Sequence, residues 1–216
     1  MKVNIVFLPS AHDFTVEQKG YLRETIRKAV RCAGNILSIK GLIDITIYPF
    51  FQYIGGKPWV VGVAQSKEWL QFTVPPEVYN KKDLLGTIYH EMHHMARGYC
   101  VLHSEIEQPG FLLNSIFSEG LATNFEMEQI VDYTPAYSCY NVTEVKAWLP
   151  KLKEEMWKIN YDHQRWFFEN GEELWMGYKI GKYLVDQIIK NNPRCNSVEL
   201  VNTSAEKLLE LSGVLI

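Results

Sequence analysis

The stretch from Lys81 to Arg97 admits one regular conformation. At about 100° per residue, Leu84, Leu85, Ile88, Tyr89, Met92, Met95 and Ala96 gather on one broad side of a helix. Asn80 offers an N-cap side chain before it, and Gly98 a stop after it. The other side carries Gly86, Thr87, His90, His94 and Arg97, with His93 at its edge. His90-Glu91-Met92-His93-His94 is thus an H-E-x-x-H pattern on a helix. Histidines at this spacing stand one turn apart on one face, so both imidazoles can reach one zinc ion. The glutamate beside the first can serve as base toward a water there. Segregation from the apolar side argues against two histidines satisfied within a core. A solvated polar face is the remaining alternative.

A catalytic zinc site takes three protein ligands and keeps one position open, so a third ligand is expected downstream. Ser118-Glu119-Gly120-Leu121-Ala122 offers it. On a helix Glu119, Ala122, Thr123 and Glu126 share one face, and Phe117, Leu121 and Phe125 the other. The rival is His103. The H-E-x-x-H-x-x-G-x-x-H class that would recruit a later histidine needs glycine and histidine where this chain has Arg97 and Cys100. Glu119 is therefore favoured, against the plainer reading of an exposed glutamate. Arg97, one turn past His94, suits a structural ion pair better than a substrate carboxylate. His93 points well off the His90–His94 line and is expected to cap or line the cleft.

The rest of the chain sets the frame. Val3 to Leu8 reads as a strand, and Thr15-x-x-Gln18 as a capping box opening a helix to about Leu37. From Leu42 to Tyr48, Ile43, Ile45 and Ile47 alternate with Asp44, Thr46 and Tyr48, the pattern of a half-buried strand. Gly55-Gly56 and Pro58 mark a loop. Val60 to Gln65 and Trp69 to Val74 read as two more strands, the second ended by Pro75-Pro76. Helices are expected near Asn114 to Ile130, Val142 to Asn160, Gly171 to Lys190 and Ser204 to Leu211. Strands with one helix first and helices afterwards predict an α+β fold. Trp157, Tyr161, Trp166, Phe167, Phe168 and Trp175 are expected in the core of the helical half.

A net charge of −3 without a basic stripe argues against nucleic acid as a partner. No apolar run approaches the ~20 residues that cross a bilayer, and Met1 to Ser10 is too short in apolar residues for a signal peptide. Cys32, Cys100, Cys139 and Cys195 are scattered, as expected of reduced thiols in a cytoplasmic protein. The sequon at Asn141-Val142-Thr143 is read as chance.

The two motifs, together with Gly177-Tyr178-Lys179-Ile180-Gly181, make the sequence similar to the glutamate-zincin (gluzincin) peptidases. Within these it most resembles the predicted zinc-dependent proteases of the bacterial YjaZ-like family, over roughly Asp83 to Val185. The resemblance implies one zincin-like domain over residues 1–216. Its upper α/β part would span about 1–98 and its helical lower part about 99–216, with the active-site cleft between. It implies a zinc metallopeptidase with one zinc per chain, acting on peptide or protein substrates. His90, His94 and Glu119 would be metal ligands, and Glu91 the general base. Tyr178, between glycines, would stabilise the oxyanion, against the alternative of a core tyrosine. Many gluzincins place Asp four residues after the ligand glutamate, to orient a ligand histidine. Here Thr123 stands there, leaving the support to its hydroxyl, to Glu126 or to a main-chain carbonyl. An extended substrate would add as a strand along a sheet edge, expected at Trp69 to Val74. The competing function is a zincin-fold binding or regulatory protein with little or no activity. A zinc hydrolase acting on a non-peptide amide is a third reading.

Overall fold

Alternating isoleucines organise the sheet. Strand β2 (Leu42–Pro49) buries Ile43, Ile45 and Ile47 completely, while its other face stays partly open. Strand β6 (Trp69–Val74) does the same with Leu70, Phe72 and Val74. The structure, a computed structural model, describes residues 1–50, 52–54, 57–76, 80–102, 111–168 and 173–216. Among these it is mixed α and β, with a four-stranded sheet, a two-stranded sheet and eight α-helices. The chain divides into two units, Met1–Ser104 with Gln129–Tyr133, and Glu105–Glu128 with Thr134–Ile216.

The first unit opens with β1 (Lys2–Phe7) and α1 (Val16–Ile36). Thr15 and Gln18 form the reciprocal capping box at the start of α1. A short antiparallel pair, β3 (Gln52–Ile54) and β4 (Lys57–Trp59), comes after β2. Pro58 therefore sits in a strand, while the Gly55-Gly56 loop lies outside the described residues. Then come β5 (Val61–Ser66), β6 and α2 (Lys81–Arg97). The strand order is β1-β2-β6-β5, parallel except for the antiparallel β5–β6 pair. This corrects the expected edge: Trp69–Val74 is an inner strand, and β5 forms the border on that side. Two short strands in sequence order carry no signal of which is outermost. α2 packs against both α1 and β5.

The second unit is helical: α3 (Leu112–Gln129), a 3-10 turn (Ala136–Ser138), α4 (Val142–Glu155), α5 (His163–Phe168), α6 (Met176–Asn191), α7 (Ser197–Leu200) and α8 (Ala205–Ser212). Its core joins Leu112, Ile116, Leu121, Leu152, Trp166 and Ile180, among others. α3 and α6 cross backbone to backbone. A Cβ on Gly120 would stand 2.4 Å from the Gly181 carbonyl, and one on Gly181 2.2 Å from the Ile116 oxygen. Only glycine at both positions allows this approach. The aromatic expectation holds in part: Trp166 and Phe167 are buried, but Trp157 and Phe168 are exposed. Asn141 caps α4 by accepting from the Thr143 and Glu144 N–H groups, a structural use for the sequon asparagine.

Among the described residues, no helix is long and apolar enough to cross a membrane.

Candidate metal centre

Local sequence explains α2. The Asn80 side chain accepts from the Lys82 N–H at 2.8 Å, and Gly98 ends the helix in the left-handed region at φ 74°. His90, Glu91 and His94 stand together between these caps. A ligating atom from each lies within 4.8 Å of the others, and all three side chains are buried. The two imidazoles meet edge to face with ring centroids 4.6 Å apart. The polar side of α2 is therefore not a solvated face: His90, His93, His94 and Arg97 are all 8% exposed or less. Helical periodicity separates apolar from polar positions but cannot say that packing encloses both.

Glu91 is aimed by β5. Its Oε2 accepts from the Ala64 N–H at 2.8 Å. Gly62 permits this arrangement, since a Cβ there would fall 2.5 Å from Glu91 Cγ and 2.7 Å from Thr87 Cγ2. Sequence reasoning misses both Ala64 and Gly62. A glycine inside a strand does hint at close approach by another element, but nothing local names the partner. On the far side of His94, the Tyr99 ring packs 5.0 Å away and its N–H donates to the His94 carbonyl at 2.9 Å. Burial holds the Arg97 guanidinium down to about 10, against the opposing pull of Tyr99, so it stays charged at neutral pH.

Two buried imidazoles one helical turn apart are donors that zinc takes, and the carboxylate beside them is placed to act on a water there.

The second unit carries the other expected residues. Glu119, Thr123 and Glu126 lie on one face of α3, all buried. The Thr123 hydroxyl has no hydrogen-bond partner among the described residues. Glu126 Oε1 accepts from the Tyr137 hydroxyl at 2.5 Å. Tyr178, near the start of α6, packs 4.9 Å from the Tyr137 ring and edge-on to Phe167 at 5.4 Å. Gly177 lies against that same Phe167 ring. The glycines of the Gly177–Gly181 motif thus set how closely α6 meets its neighbours. His163 stacks on Phe167 at 4.8 Å. Desolvation pushes its imidazole down, and the Glu119 carboxylate pulls the other way. Its ring neighbours Tyr161, Phe167 and Phe168 are close in sequence, but the Glu119 carboxylate that acts on it comes from α3, and sequence reasoning does not find that partner. His103 lies outside the described residues.

Comparison with protein families decides the grouping. A family described as predicted Zn-dependent protease (DUF2268) matches residues 60–210. The chain belongs to this family. The match begins just before β5 and takes in α2, α3 and α6, and so includes His90, Glu91, His94, Glu119 and Tyr178. No curated protein matches the chain.

Proposed function

We propose that the protein is a zinc metallopeptidase of zincin-like fold and gluzincin type, with His90, His94 and Glu119 as ligands. One observation carries the reading: a buried His90–Glu91–His94 cluster whose glutamate is held at the border strand of a sheet. Membership in a family of predicted zinc-dependent proteases supports it.

Bound zinc would supply Lewis acidity to a water and to the scissile carbonyl. The chain supplies the rest. Glu91 takes a proton from the attacking water at a carboxylate oxygen and returns it to the leaving amine. The β5 edge receives the extended substrate by strand addition, with Ala64 beside the base. Tyr178 donates to the developing oxyanion. Thr123 supports a ligand imidazole: a buried hydroxyl costs free energy until it finds a partner, and an imidazole N–H is a fitting one. His93, expected to cap or line the cleft, is instead wholly enclosed and is assigned to the packing of α2, and Glu126 with Tyr137 braces α3. Arg97 is assigned to structure, because a buried guanidinium is costly to leave without protein contacts. The four free cysteines suit a cytoplasmic setting.

The test is Glu91→Gln. It should lower peptide hydrolysis by roughly 10²–10⁴-fold while zinc content stays at the wild-type level. Full activity in that variant would remove Glu91 as base. A wild type that holds zinc yet cleaves nothing in a broad peptide library would favour the binding-protein reading.

A further inference from the structure

The β5 border is already in use by the chain itself. In an antiparallel pair, alternate residues turn their N–H and C=O away from the partner strand. Ala64 is such a residue, and both of its peptide groups are engaged. Its N–H donates to Glu91, and its carbonyl accepts from the Val101 N–H at 3.1 Å. One residue on, the Gln65 carbonyl accepts from the Leu102 N–H at 2.9 Å. Successive donors meet successive acceptors, which a regular ladder does not allow. The register shift between Ala64 and Ser66 makes it possible here.

The root of this contact is firm and its tip is not. Gly98 turns the chain, Tyr99 packs on His94, and Cys100 is buried. Val101 and Leu102 are 70% and 55% exposed, so their contact with β5 rests on the two backbone bonds rather than on apolar burial. A strap of this kind holds its position cheaply and leaves readily.

We propose that Val101–Leu102 is an intramolecular competitor for substrate: it occupies the edge carbonyls of Ala64 and Gln65 and must leave before an extended peptide can add to β5. The inference rests on the peptidase reading and adds its regulation. Short substrates that do not reach along the edge do not compete with it.

Val101→Pro and Leu102→Pro each delete one donor. Each should raise kcat/KM for fluorogenic hexapeptides on the order of fivefold, the worth of one exposed-edge hydrogen bond. The gain should fall on KM, and dipeptide amides should be cleaved as by the wild type. Val101→Ala keeps the N–H and should behave as the wild type. Hydrogen exchange on the wild-type protein supplies a readout that needs neither turnover nor a proline variant: the Val101 and Leu102 amides should be protected, and saturating hexapeptide should release them. Free-chain exchange at both amides would overturn the proposal, whatever the activity. So would protected amides with unchanged kcat/KM in both proline variants. Zinc-loaded protein that cleaves no peptide in any variant would instead remove the peptidase reading beneath it.

Discussion

Helices α2 and α3 carry the groups assigned to the metal, yet they are held by different means. α2 is closed by its immediate neighbours: Asn80 accepts from its first turn, and Gly98 turns the chain away at its end. α3 depends on residues far along the chain. Its opening N–H groups at Leu112 and Leu113 donate to the carbonyls of Lys158 and Met156, beyond the end of α4. Its middle is seated on Gly181, and near its end Glu128 accepts from Ser197 and Asn124. A helix closed locally can keep its limits when its surroundings change. A helix closed at long range has its limits only in the folded unit.

The contrast is sharpest at the glycine crossing. Gly181→Ala places a Cβ 2.2 Å from a backbone oxygen that cannot move aside like a side chain. It should cost about 3 kcal/mol by urea unfolding, the upper end for overpacking. A midpoint equal to wild type would mean that α3 and α6 are not seated on these glycines. Asn80→Ala removes only a local cap and should cost about 1 kcal/mol. If it cost as much as Gly181→Ala, the local closure of α2 would be the wrong account.

The smallest effect is expected at Glu128. Desolvation raises its carboxyl above 4.5, with the hydrogen bonds from Ser197 and Asn124 opposing. The folded state then binds more protons than the unfolded one, so this group favours folding below pH 4.5. That contribution is lost as pH rises through the raised folded value. Glu128→Gln should remove this part of the slope, seen as a flatter stability profile than wild type above pH 4.5. An identical profile would show that Glu128 is fully hydrated at the end of α3.

The same contrast explains how far the sequence alone can be read. α2 is legible to its boundaries because periodicity, N-cap, C-cap and motif all lie within it. β2 is legible because Ile43, Ile45 and Ile47 alternate. Pattern places α3 at Asn114–Ile130, whereas it spans Leu112–Gln129, since its first donors are satisfied by residues that are distant in sequence. Pattern does not single out α5 as a helix of its own. α6 starts only after Trp175 adopts φ 60°, a conformation that no pattern assigns to tryptophan. At the candidate site, His90, Glu91 and His94 are legible as a spacing. Ala64, Gly62, Tyr137 and the influence of Glu119 on His163 are not, because each enters through a tertiary contact.

Metal content is the most direct test of the central claim. Elemental analysis of the wild type and of the His94→Ala and Glu119→Ala variants, purified without added metal, should give roughly one zinc per wild-type chain and a large loss in both variants. No zinc in the wild type, even after reconstitution, would contradict the account, and so would a full complement retained by Glu119→Ala.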